Sequence, residues 1–222
     1  MTGQQRAVAH VRPARRSRSR FSRAAGAAET IEGFGHGMDV VGLTFGQFSL
    51  LDLIEAGLEV TGPADVTIST WSAGFYDVEA AQRFAQLGAI RSIRFVMDSS
   101  AKRGQATPVD VAGLFGAESI RVFRTHAKFA LLRNESWDVV ITTSMNLNLN
   151  PRCEQFEMTD DTDRADLFSG FVDELFRELP EGATGDRTVP EHLAFPDVDP
   201  QRSYRVGGRV ATGPWRRGAP RE

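Results

Sequence analysis

Apolar residues along this chain follow two rhythms, a period of two in short runs and a three-to-four spacing in longer ones, and the rhythms take turns. Met38–Thr44 (MDVVGLT) predicts a first strand. Phe48–Leu58 predicts a helix, with Phe48, Leu51, Ile54 and Leu58 on one stripe, and Gly62-Pro63 ends the unit. Ala64–Thr70 predicts a second strand, Asp77–Leu87 a second helix stopped by Gly88, and Ile90–Met97 a third strand. After the polar loop Asp98–Pro108 come a short helix, Val109–Phe115, and a strand, Ser119–Phe123. Strands alternating with helices imply an α/β layered fold, a mostly parallel sheet flanked by helices.

The rhythm then breaks. Ala127–Leu132 and Asp138–Thr143 are apolar runs separated by the polar turn Arg133–Ser136, which predicts adjacent strands joined by a hairpin. Glu154–Met158 predicts one more strand. Asp160–Leu179 predicts the clearest helix, capped by Thr162, with Leu167, Phe168, Phe171, Leu175 and Phe176 on its buried face. The pattern contains no internal repeat.

Both ends lack this periodicity. Residues 1–27 are rich in Arg, Ser and Ala and read as a disordered tail; 28–180 read as the α/β domain; 181–222, rich in Gly, Pro and Arg, read as an extended tail. The first 27 residues hold seven Arg and no acid, so the other 19 basic residues face all 29 acids, and the net charge of -3 hides a cationic arm on an acidic body. Such an arm either neutralises phosphates, with salt-dependent binding, or is a solvated tail; His10 within it receives no role. No apolar run approaches the roughly 18 residues of a membrane span, and no basic start leads into an apolar stretch. The single cysteine, Cys153, excludes an internal disulfide and suits a reducing compartment. These features predict a cytoplasmic protein that does not engage a membrane.

Several motifs invite chemistry that their context does not support. Gly33–Gly37 precedes a strand, where a phosphate cradle joins strand to helix, so His36 reads as a turn residue. Lys102 and Arg103 sit in a polar loop that reads first as solvated. Asp160, Asp161 and Asp163 lack the glycine and terminal Glu of a calcium loop and read as helix-capping acids. Nothing beside Cys153 would lower a thiol pKa. No His/Cys cluster has zinc spacing, so neither metal nor cofactor is expected.

One stretch stands apart, running from His126 to Glu157. The chain uses only two lysines among 26 basic residues, and one of them, Lys128, follows His126 at a spacing of two. In an extended strand both side chains share a face, and the same holds for Ser144 and Asn146. Imidazole can act as nucleophile or proton donor, while Lys, Ser and Asn donate to phosphate oxygens. Glu154 or Glu157 would orient the imidazole by accepting its other N–H. A single His on a strand is usually structural; the ordered set at predicted strand ends is more specific than any member.

This stretch resembles the HKD motif of the phospholipase D superfamily: His126-x-Lys128, a strand, Ser144-x-Asn146, then an acid. In element order the resemblance extends over roughly residues 38–180, and it also touches superfamily proteins carried by Mu-like phages. It implies a phospholipase D-like layered sandwich and a metal-independent phosphodiesterase, foremost a nuclease on DNA or RNA, working as a homodimer because each chain carries one motif. His126 would attack phosphorus to give a phosphohistidine, and the other subunit's His126 would protonate the leaving oxygen. Lys128 and Asn146 would bind the non-bridging oxygens with Ser144 in support, and Glu154, preferred to Glu157, would orient His126. The alternatives are a catalytically degenerate nucleic-acid-binding module of the same fold and a phospholipid phosphodiesterase. Three departures stand out: Arg133 where the family has Asp, Thr143 where it has Gly before the Ser, and a longer span from Lys128 to Ser144.

Overall fold

The computed structural model describes residues 26–70, 83–84, 86–98, 111–123, 125–147 and 151–182. The Arg-rich tail, most of the helix expected over Asp77–Leu87, the loop with Lys102 and Arg103, and the C-terminal tail beyond residue 182 lie outside them.

Seven strands are present among the described residues: β1 (Asp39–Thr44), β2 (Ala64–Thr70), β3 (Ile90–Asp98), β4 (Ile120–Phe123), β5 (Phe129–Arg133), β6 (Asp138–Thr143) and β7 (Glu154–Asp160). Helices among the described residues are α1 (Ala27–Thr30), α2 (Leu50–Thr61), α3 (Val111–Phe115) and α4 (Thr162–Glu178). The strands form one sheet in the order β1-β7-β6-β5-β2-β3-β4.

The fold is mixed α/β, as expected, but the sheet is not mostly parallel. Only β2–β3 and β3–β4 pair in parallel; β1–β7, β7–β6, β6–β5 and β5–β2 are antiparallel. The reason is insertion. Consecutive strands joined by a helix would pair in parallel if adjacent, but β5, β6 and β7 stand between β1 and β2. Strand direction keeps part of the expectation, because β1, β2, β3, β4 and β6 all run one way and only β5 and β7 return. One rim of the sheet therefore collects the C-terminal ends of five strands and the N-terminal ends of two.

Each face of the sheet carries a helix. Helix α2 starts with a capping box: Ser49 Oγ accepts from Asp52 N at 3.3 Å, and Asp52 Oδ2 accepts from Ser49 N at 2.7 Å. Its buried Leu50, Leu53, Ile54 and Leu58 join a core with Val66, Ile68, Ala130, Leu132, Ile141, Phe156 and Met158 from the sheet. Gly57 permits the close approach, since a Cβ there would stand 2.6 Å from Leu132 Cδ1. The helix ends at Gly62, whose φ of 70° favours glycine.

Helix α4 covers the opposite face. Its buried residues are Ala165, Ser169, Val172 and Leu175. Of the expected large residues Leu175 is on that line and the others flank it, half-buried: Phe168 packs on Phe129 at 4.6 Å and Phe171 on Phe123 at 6.0 Å between ring centroids. Asp161, not Thr162, is the N-cap. It stands in extended backbone before the first turn and accepts from Arg164 N at 3.0 Å, while Thr162 Oγ1 donates to Asp138 Oδ2 at 2.7 Å. Asp160 accepts from Gly37 N at 2.9 Å and from Asp138 N at 3.0 Å. The acid cluster thus caps a helix and ties loops together. Gly33–Gly37 forms a turn whose His36 stacks on Trp137 at 3.8 Å.

Candidate active site

The sheet order sets the site. To pass from β4 into β5, the chain must cross the ends of β3 and β2, three strand spacings or roughly 14 Å. It does so along the site rim, and His126 lies on that crossing. Residues 125–128 belong to no strand, although the sequence pattern places the start of β5 at Ala127. Side chains hold them instead. Thr125 N donates to Asp98 Oδ2 at 2.9 Å, Ala127 N to Thr125 Oγ1 at 3.1 Å, and Ser69 Oγ to Ala127 O at 2.9 Å. Thr143 N then donates to Lys128 O at 3.1 Å, bringing the end of β6 against the start of β5.

His126 is exposed and Lys128 half-buried. Lys128 Nζ stands 3.4 Å from His126 Nδ1 and donates to His126 O at 3.3 Å. Burial lowers the Lys128 pKa below its ordinary value, and the negative charge of Glu154 opposes that shift. Lys128 and Glu154 therefore sense each other across the rim.

Ser144 follows the last residue of β6. Its hydroxyl donates to Glu154 Oε2 at 2.5 Å and accepts from Gln155 N at 3.0 Å, so Ser144 and the start of β7 form one unit. Thr143 helps to build the turn: its hydroxyl donates to Gln155 O at 2.7 Å and accepts from Met145 N at 2.9 Å. A glycine would lack both bonds. Asn146 Oδ1 is buried without a hydrogen-bond partner, which costs on the order of 1–3 kcal/mol. Turning the amide over would put an NH2 donor in the same place.

The two acids weighed from the sequence have different surroundings. Glu154 bonds Ser144, whereas Glu157, on the other face of β7, pairs with Arg164 at 2.5 Å. Arg133 is also remote, at the far end of β5 and on the face that α4 covers. It donates to Asp138 at 2.7 Å, Asp166 at 2.9 Å and Ser169 Oγ at 2.9 Å, joining β5, β6 and α4. Cys153 is exposed. Among the described residues no group of three or more His, Cys, Asp or Glu is placed to hold a metal ion, and no helix is long and apolar enough to cross a membrane. Sequence reasoning missed Ser69, Asp98 and Thr125, which read as strand or loop residues with no motif around them.

No family model matches the chain, and no curated protein matches it. Solved structures do. The phospholipase D family member Nuc from Salmonella typhimurium is 13% identical with a TM-score of 0.44, over 65% of this chain and 97% of that one. NucT from Helicobacter pylori is 15% identical with a TM-score of 0.44, over 65% and 99%. Polyphosphate kinase from Porphyromonas gingivalis is 14% identical with a TM-score of 0.45, over 66% of this chain and 27% of that one. These structures include members of the family that the motif around His126 resembles, and the likeness is a partial one of backbone. What the chain does has to be argued from its own side chains.

Proposed function

We propose that this protein is a metal-independent phosphodiesterase that cleaves DNA or RNA as a homodimer. The observation that carries the reading is the gathering of His126 and Lys128 with the Ser144–Glu154 pair at one rim. A nitrogen nucleophile, an ammonium for the non-bridging oxygens and a fixed carboxylate are the groups that phosphoryl transfer through a histidine requires. Turned over, the Asn146 amide would offer a further donor.

Two displacements make up the reaction. His126 Nε2 attacks phosphorus, the P–N bond forms, and the P–O bond to the leaving group breaks. A second imidazole, from the partner copy, gives its proton to the leaving oxygen. Water then attacks phosphorus, passing a proton to that imidazole as the P–N bond breaks, and His126 is regenerated. For Nε2 to attack, Nδ1 carries the ring proton, so the Lys128 ammonium turns from Nδ1 to the phosphate oxygens.

The dimer is supported by surface as well as chemistry. Val41, Leu43 and Phe45 on the edge strand β1 and just beyond it are 78%, 64% and 60% exposed. They share one face, and β1 ends beside the site, with Thr44 opposite Glu154. An apolar face on an edge strand favours association, and a second copy is the occupant that also brings the second imidazole.

The test is cleavage of plasmid DNA, single-stranded DNA and RNA by the full chain in excess EDTA, with His126→Ala as control. Cleavage without metal that is lost in His126→Ala is expected. Cleavage that requires added Mg²⁺, or survives the substitution, overturns the mechanism. Salt-dependent binding without turnover would indicate the degenerate binding module, and hydrolysis of phosphatidylcholine but not nucleic acid the lipid substrate.

A further inference from the structure

Asp98 is a buried carboxylate, 8% exposed, that the proposed reaction does not use. It ends β3, and its Oδ2 accepts from Thr125 N, one residue before His126. On the other side, Ser69 near the end of β2 is fully buried and donates to Ala127 O, one residue after His126. These bonds lie where the chain has left the ladder to cross the strand ends. Buried backbone groups there need partners, and the sheet no longer provides them.

We infer that Asp98, with Ser69, is a positioning residue that fixes the direction of the His126 imidazole by clamping the backbone on both sides of it. The geometry sets the roles. A crossing segment tied only at its strand ends can rotate about its middle, which is where His126 sits. One anchor on each side removes that freedom while leaving the side chain exposed to a substrate. Asp98 acts on the N-terminal side through an N–H, and Ser69 on the C-terminal side through a carbonyl. Lys128, whose ammonium lies on the His126 carbonyl and ring, inherits its placement from the same clamp. This inference rests on the phosphodiesterase reading of the site and assigns part of its precision to β2 and β3.

Asp98→Ala removes the acceptor, and Asp98→Asn keeps one, because Asn Oδ1 accepts the same N–H. A displacement of about 1 Å at a reacting group costs on the order of a hundredfold in rate. Asp98→Ala is therefore expected to lower kcat by about 10- to 100-fold with KM within about twofold of wild type, and Asp98→Asn to recover most of it. Ser69→Ala, a milder change, is expected to lower kcat in the same manner. Two readouts need no activity: hydrogen exchange at the Thr125 amide and the NMR signal of the His126 imidazole in histidine-labelled full-length protein, assigned with His126→Gln. Both should change in Asp98→Ala and revert in Asp98→Asn. If Asp98→Ala does not fold, Ser69→Ala decides through kcat and the imidazole signal. The inference is overturned if Asp98→Ala keeps the wild-type imidazole signal and kcat, or if Asp98→Asn falls as far as Asp98→Ala. Should the wild-type chain cleave nothing, the phosphodiesterase reading fails, and the imidazole signal and Thr125 exchange alone decide the clamp.

Discussion

Replacing Arg133 should cost stability and spare catalysis. The HKD motif has Asp at this position, so the substitution looks like a loss of function when read in sequence. In the fold, Arg133 is the last residue of β5, five residues beyond Lys128 or roughly 17 Å at about 3.3 Å per residue, and its side chain lies on the face that α4 covers. There it bonds Asp138, Asp166 and Ser169. A hydrogen bond to a charged group contributes about 1.5–3 kcal/mol. Exposed ion pairs are worth about 0.2–1 kcal/mol, and Asp166 is exposed. Discounting accordingly, Arg133→Ala should destabilise the fold by about 1–3 kcal/mol. At roughly 2–4 °C per kcal/mol for a chain of this size, Tm should fall by about 2–12 °C. Arg133→Asp should be worse, because it places a third carboxylate beside Asp138 and Asp166. Melting followed by circular dichroism gives the first number, and cleavage at 20 °C gives the second. Wild-type kcat in Arg133→Ala with a lowered Tm is expected. Lost cleavage with an unchanged Tm, or Arg133→Asp cleaving faster than wild type, would refute the assignment of Arg133 to scaffold.

Two further outcomes follow from the site and its edge. Burial lowers the Lys128 pKa and Glu154 resists that shift; Glu154→Gln removes the resistance, so the ammonium is lost at lower pH and the basic limb of kcat/KM should move down. A limb that stays in place or moves up would count against the Lys128–Glu154 coupling. Paired Val41→Asp and Leu43→Asp substitutions should give a monomer by light scattering and abolish cleavage, whereas His126→Ala should remain dimeric; a dimer that persists in the double variant would remove β1 from the interface.

Local order was legible because it depends on local spacing. The α2 stripe, the β5–β6 hairpin and the bounds of β6 follow from the alternation of apolar residues. Sheet order was not, because nothing near Val40 or Val41 in the sequence indicates that β1 pairs with β7 across more than a hundred residues. The α4 stripe shows a different failure. Hydrophobicity selects Leu167, Phe168, Phe171, Leu175 and Phe176, but the buried line is Ala165, Ser169, Val172 and Leu175, which shares Leu175 alone with that set. Close approach needs small side chains, and large ones wedge in from the sides. The same holds for the cap, where Asp161 and Thr162 are both good candidates and only backbone conformation separates them.

The site was legible where composition made a residue costly to keep, and hidden where sheet geometry supplied the partner. Lys128 stood out in a lysine-poor chain. Extended-strand geometry predicted that His126 and Lys128 meet, and they do, but for another reason. They lie on a crossing segment outside the ladder, so their common direction comes from bonds to β2, β3 and β6 and not from pleating. Those bonds depend on which strands the crossing passes over, and that depends on β5 having inserted beside β2. Reversing the hairpin's place in the sheet would leave the His-x-Lys spacing untouched and take Asp98 and Ser69 away from it. The motif alone therefore specifies candidate reacting groups without specifying their aim, and the aim is set by the mixed sheet that the alternating pattern did not predict.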